Sequence, residues 1–218
     1  MKFTQELYLS SKDIWDSYYE HPFVDGIGKG TLDKEKFKFY IIQDYIYLLD
    51  YAKIFALGVV KSDNEKDMQM FSTLTDGILN SEMGIHRIYM EKFGLTSEDI
   101  FKHKATLDNL SYTNYMLSVA HTGGVKEITV VVLACLWSYD MIGRELFKKY
   151  GSNQEFYGDW IKAYTSNAYE DLNKWLFNLV ESSTKNCTEK EKENLKEIFR
   201  NCSIYEYNFW DMAFKGNM

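Results

Sequence analysis

The stretch VLACLWSYD, residues 132–140, sets a thiol, Cys135, in the most apolar part of the chain, with a phenol, Tyr139, four residues on. On a helix the i, i+4 step puts both on one face, where the hydroxyl reaches the sulfur or a ligand held against it. Two readings compete for the thiol. Free cysteine is among the most buried residue types and packs as a small hydrophobe. As a nucleophile it needs a neighbour that favours the thiolate, because apolar burial alone raises its pKa. No histidine lies within a turn of Cys135, which speaks against a Cys-His hydrolase of the papain kind.

Carboxylates form the second candidate set. In FYIIQDYIYLLDY, Asp44, Tyr47 and Tyr51 fall at i, i+3 and i+7, with the acid embedded among apolar residues. In CSIYEYNFWDMAF, Glu206 is flanked by aromatics, with Phe209 and Trp210 one turn further. A buried acid is costly unless it is paired or used, and its surroundings set its proton affinity. The structural alternatives are an Asp44 bonded to a tyrosine hydroxyl and a Glu206 that caps or pairs at the surface. Buried acids are rare enough that a functional role weighs equally. The histidines, His21, His86, His103 and His121, are scattered. Glu82 and His86 share a helix face, but the paired E-x-x-H motifs of di-iron bundles are absent, as is the Cys/His clustering of a structural metal site. No metal or other cofactor is expected. His21, just before Pro22, is expected to be an ordinary helix-end residue.

These side chains must be positioned by helices. The chain has one proline, Pro22, in 218 residues, and proline is poorly tolerated inside helices but common in loops, so long loops are few. Capping boxes of the S/T-x-x-E form occur at Ser62–Glu65, Ser152–Glu155 and Thr188–Glu191. Apolar residues between them recur at three- and four-residue steps, which predicts helices near 3–20, 33–60, 63–93, 104–121, 125–150, 153–165, 167–184 and 188–214. Gly94 is expected to close the third. The contested segment is 125–150, since ITVVV has strand propensity. Ile128, Val131, Val132, Cys135, Tyr139, Ile142 and Leu146 keep helical spacing, and no partner strand is visible, so a central helix is expected. The result is an all-α bundle of about seven to nine helices, in a single domain over residues 1–218.

Composition narrows the function. Hydrophobic residues at 45% and charged residues at 26% are the balance of a folded globular protein. The formal charge is −7, and no basic run exceeds Lys148-Lys149, which excludes phosphate-backbone binding and hence nucleic acid as a partner. The apolar run ITVVVLACLW is too short to span a bilayer, and the charged N-terminus lacks a signal core. Three cysteines without a disulfide framework fit a reducing cytoplasm. Most of the seventeen tyrosines and five tryptophans are expected in the core, with a minority lining a pocket for a flat ring.

The string HPFVDGIGKGTLDKEKFKFYIIQDYIYLLDYAK resembles the N-terminal signature of the TenA/thiaminase II family, with HPF, GTL, F-x-x-Y and QDY-x-Y in order. The central Cys-x-x-x-Tyr and the terminal YEYNFWDMA are similar to that family's other blocks, and together they span nearly the whole chain. The resemblance implies a haem-oxygenase-like all-α fold without haem, assembled as a homotetramer. It implies hydrolysis of thiamin, or of 4-amino-5-aminomethyl-2-methylpyrimidine, to 4-amino-5-hydroxymethyl-2-methylpyrimidine in thiamin salvage. By the same resemblance Cys135 matches the nucleophile, Glu206 the acid/base and Asp44 the carboxylate that binds the amidine-like edge of the ring. Tyr47, Tyr112, Tyr139, Tyr164 and Phe209 match residues that stack on the ring or bond around the thiol, Tyr112 and Tyr164 on the shorter strings LSYTNY and DWIKAY. The alternatives from other classes are a non-catalytic thiamin or pyrimidine carrier or regulator, and a haem- or metal-using enzyme of the same fold.

Overall fold

The computed structural model describes residues 1–216. Among the described residues every regular element is helical. In chain order these are α1 (Phe3–Tyr18), α2 (Pro22–Lys29), α3 (Lys34–Lys61), α4 (Glu65–Asp76), a π-helical stretch (Gly77–Glu82), α5 (Met83–Lys92) and α6 (Ser97–Phe101). They continue with α7 (Leu107–Thr122), α8 (Val125–Tyr150), α9 (Gly158–Tyr164), α10 (Asn167–Ser183) and α11 (Glu189–Lys215). The count exceeds the expected seven to nine because α2 and α6 are too short to show a periodicity, and because the helix expected over 63–93 is interrupted.

The described residues divide into two compact units: Met1–Leu32 with Thr129–Trp210, and Asp33–Ile128 with residues 211–216. In the first, α8 is the core. Every residue from Thr129 to Leu136 is buried, as expected of a helix that is apolar on all sides. The β-branched run ITVVV has no strand to pair with, and tertiary burial overrides its propensity. Trp15 of α1 meets Trp137 of α8 edge-on at 5.0 Å and donates from Nε1 to Ser203 Oγ of α11 at 2.8 Å. On its other side Trp137 meets Phe177 of α10 at 4.8 Å. The first amides of α1 are satisfied by Glu181 of α10, which accepts from Phe3 N at 3.1 Å and Thr4 N at 2.9 Å.

The HPF…GTL string is a helix with its caps. His21 is the N-cap of α2, its Nδ1 accepting from Phe23 N at 3.2 Å, so it is the helix-end residue expected. Pro22 follows at a position where its missing N–H costs nothing. Gly30 ends the helix at φ +73°, a left-handed conformation that favours glycine.

In the second unit α3 is the element against which α4, the π-helical stretch, α5, α6 and α7 all pack. Two of the three expected capping boxes are replaced. Ser62 ends α3 instead of starting α4, its Oγ donating to Gly58 O at 2.7 Å, and Asn64 caps α4 by accepting from Asp67 N at 3.0 Å. Ser152–Glu155 starts no helix: Gln154 donates from Nε2 to Gly28 O at 2.6 Å, and α9 begins only at Gly158. The third box forms, Thr188 N donating to Glu191 Oε2 at 2.8 Å and Glu191 N to Thr188 Oγ1 at 3.3 Å. Gly94 closes α5 as expected, at φ +67° with Leu95 N donating to Met90 O at 2.9 Å.

Candidate active site

The first unit carries five of the candidate side chains. Cys135 and Tyr139, one turn apart on α8, are 6% and 4% exposed. The Tyr139 ring lies 4.8 Å from that of Tyr164 on α9 and 5.1 Å from that of Trp210 on α11, with Trp160 at 5.9 Å. Glu206 and Phe209, on the buried stripe of α11, are each 2% exposed, so Glu206 is no surface cap. Sequence reasoning missed Tyr18 at the end of α1. Its hydroxyl donates to Ser203 O at 2.6 Å, and its pKa is raised well above the ordinary value, first by burial and next by the negative charge of Glu206, with Cys135 and Cys202 adding to it. Tyr18 therefore stays protonated while sensing both candidate catalytic groups. Nothing in the sequence distinguishes it from sixteen other tyrosines.

Cys202 is fully buried, and burial followed by Glu206, one turn on, pushes its pKa far above the normal thiol range. It packs as a protonated side chain. Cys187 is half-buried, and neither it nor the other two cysteines is in a disulfide.

The aromatic wall depends on a close helix approach. A Cβ placed on Gly143 of α8 would stand 2.9 Å from Tyr164 Cβ and 3.2 Å from its carbonyl carbon. In a helix interior alanine is favoured over glycine by about 1 kcal/mol, but overpacking against backbone costs about 1–3 kcal/mol. Gly143→Ala is expected to destabilise by about 1 kcal/mol on balance, read as a lower midpoint in urea, and to push Tyr164 off Tyr139. An unchanged midpoint would contradict the close approach.

The second unit carries Asp44, Tyr47 and Tyr112. Asp44, Tyr47 and Tyr51 share the buried face of α3 as their spacing requires. Tyr47 lies 5.3 Å from the Tyr112 ring of α7 and stacks on Tyr51 at 5.2 Å, its hydroxyl donating to Met116 Sδ at 3.8 Å. Among the described residues the partner of the Asp44 side chain is a histidine and not a tyrosine. Asp44 Oδ2 is 2.6 Å from Nε2 of His86 on α5, both side chains being almost fully buried. His86 was visible in the sequence as a face-mate of Glu82, but its partner is 42 residues away. The signal that finds it is the rule that a buried acid requires a partner.

Burial works against a charged His86, but the hydrogen bond and charge of Asp44 outweigh it and hold its pKa above the ordinary value. A group raised in this way stabilises the fold fully below its unfolded pKa, about 6.5, and its contribution is lost as pH rises through the folded pKa. The stability lost in His86→Gln is thus expected to be largest near about pH 6 and to shrink in alkaline solution, read from urea midpoints across pH. A gap that widens with pH would reverse the assigned sign.

Among the described residues no helix is long and apolar enough to cross a membrane, and no group of three or more His, Cys, Asp or Glu is placed to hold a metal ion. The architecture is that of a solved structure described as a TenA homologue protein from P. horikoshii OT3, with a TM-score of 0.89, 31% identity and 100% of both chains covered. This is the all-α, haem-oxygenase-like class, here with a buried thiol, a buried glutamate and a carboxylate–imidazole pair. Within it, the chain belongs to the TENA/THI-4/PQQC family, whose model matches residues 10–216. It is 46% identical over 217 residues to a protein of Helicobacter pylori named aminopyrimidine aminohydrolase, covering 99% of this chain and 100% of that one. A protein of the same name from Halalkalibacterium halodurans is 42% identical over 219 residues, covering 100% of this chain and 98% of that one.

Proposed function

We propose that the chain is a hydrolase of aminopyrimidines that carry a leaving group on an exocyclic methylene, releasing 4-amino-5-hydroxymethyl-2-methylpyrimidine in thiamin salvage. The observation that carries this is the end-to-end match, at 46% and 42% identity, with two proteins named aminopyrimidine aminohydrolase. Supporting it are a thiol, a carboxylate and aromatic rings buried at the positions the family resemblance assigns. Cys135 is the nucleophile. Its thiolate adds to the ring carbon beside a ring nitrogen, and the electron pair displaced onto that nitrogen takes a proton from Glu206. The adduct expels the methylene substituent, as ammonia from the aminomethyl compound bound as its ammonium ion or as the neutral thiazole from the thiazolium of thiamin. Water adds to the exocyclic carbon and releases a proton to solvent, the ring nitrogen returns its proton to Glu206, and the thiolate leaves. Asp44 accepts from the exocyclic amine, Tyr47, Tyr112 and Phe209 hold the ring, and Tyr139 and Tyr164 fix the surroundings of the thiol. The protein works without metal or other cofactor, in the cytoplasm, as a homotetramer.

The test is turnover of 4-amino-5-aminomethyl-2-methylpyrimidine and of thiamin by the purified protein, following the hydroxymethyl product. Formation of that product is expected, and the ratio of kcat/KM values names the preferred substrate. Binding of the pyrimidine without turnover of either compound would replace this reading with that of a carrier or regulator.

A further inference from the structure

The mechanism above leaves the buried His86 imidazole unused. It is held at both nitrogens. Nδ1 lies 3.0 Å from the carbonyl oxygen of Glu82, which can only accept, so Nδ1 carries a proton and donates it. Nε2 lies 2.6 Å from Asp44 Oδ2. The ring cannot flip or rotate without breaking one of these bonds. Asp44 is thereby pinned by one oxygen, and no hydrogen bond from the described residues reaches the other.

The backbone is arranged to deliver this contact. Glu82 is the last residue of the π-helical stretch Gly77–Glu82, and α5 begins directly after it. An extra residue in a turn rotates everything that follows by about 100° about the helix axis. Without it, an α-helix continued from α4 would point position 86 away from its present direction. The π-helical stretch therefore sets the face on which His86 meets α3, at a less favourable backbone geometry than a continuous α-helix would have.

We propose that His86 is a positioning residue for substrate recognition: by holding Oδ2 of Asp44 it aims the free Oδ1 at the exocyclic amine of the pyrimidine, and so makes discrimination for that amine depend on the imidazole. This rests on the aminopyrimidine reading of the site. An unpinned carboxylate turns about its χ2 and presents its oxygens in several directions. A pinned one offers a single acceptor in a fixed place, and the loss of its partner group from a ligand is then felt in full.

The experiment measures, by calorimetry, the Kd of 4-amino-5-hydroxymethyl-2-methylpyrimidine and of its analogue lacking the 4-amino group, with the wild type, His86→Leu and His86→Gln. Hydrogen bonds to charged groups imply a wild-type preference for the amino compound of about 10- to 100-fold. In His86→Leu this preference is expected to fall to about threefold or less, with the Kd of the deaminated analogue nearly unchanged. His86→Gln, whose amide donates to Oδ2 without the charge, is expected to retain an intermediate preference, and it decides the matter if the leucine variant does not fold. Parallel weakening of both ligands in either variant, or a wild-type ratio in His86→Leu, would overturn the positioning role and leave the function intact. A wild type that binds neither compound would overturn the aminopyrimidine reading itself and the role of His86 with it.

Discussion

Cys135→Ala is expected to abolish release of the hydroxymethylpyrimidine, lowering kcat by about 10³-fold or more, as loss of the proposed covalent nucleophile would. The variant is expected to keep its helical spectrum and to bind the product still. The thiol sits on the most buried stretch of α8, where the flanking residues hold the helix in place whether or not a sulfur is present. Removing one buried heavy atom costs about 1 kcal/mol, too little to unfold a domain of this size. The ring contacts of Tyr139 with Tyr164 and Trp210 do not involve the sulfur and survive the change. Loss of turnover is then attributable to chemistry. Product formation measured by chromatography, with circular dichroism on the same sample, checks it. Turnover within tenfold of the wild type would rule out a covalent step through Cys135.

Glu206→Gln has the second largest expected effect, a fall in kcat of about 10²–10⁴-fold, the range for loss of a positioned proton donor or acceptor. KM is expected to change little, because the proton moves only as the ring nitrogen gains charge in the transition state. Glutamine conserves the shape of the side chain, so the burial of position 206 is retained. Glu206 is also the second largest cause of the raised Tyr18 pKa and the source of the negative charge felt by Cys202. Its neutralisation removes that contribution from both groups. The double variant Cys135→Ala, Glu206→Gln is expected to be no slower than Cys135→Ala alone, since groups that serve one covalent step are not additive. A rise in KM with kcat unchanged would make Glu206 a binding group instead.

How far these residues were legible follows from the range of the interactions involved. The helical reading of 125–150 rested on three- and four-residue recurrence of apolar side chains, and α8 runs from Val125 to Tyr150. The Thr188–Glu191 box was readable because both partners lie within one turn. The Ser62–Glu65 string is as good a local match, yet the serine bonds backward to Gly58. A hydroxyl at a helix junction has a carbonyl and an amide within reach, and the packing of α3 against α4 selects between them. The residue types at Asp44, Cys135 and Glu206 marked them as candidates because a buried acid or thiol is chemically expensive, and all three are buried.

By itself the sequence determined the all-α class, the course of its long helices and the side chains worth suspecting, because each depends on hydrophobic periodicity and residue chemistry over a few turns. Only the tertiary structure decided which partners those side chains take. Tyr18 donates to a carbonyl 185 residues away, and Asp44 meets His86 across 42 residues and beyond a π-helical stretch that re-aims its helix. Such pairings are selected by how helices pack and by the cost of leaving a buried polar group unsatisfied, and neither is encoded in any one segment of the chain.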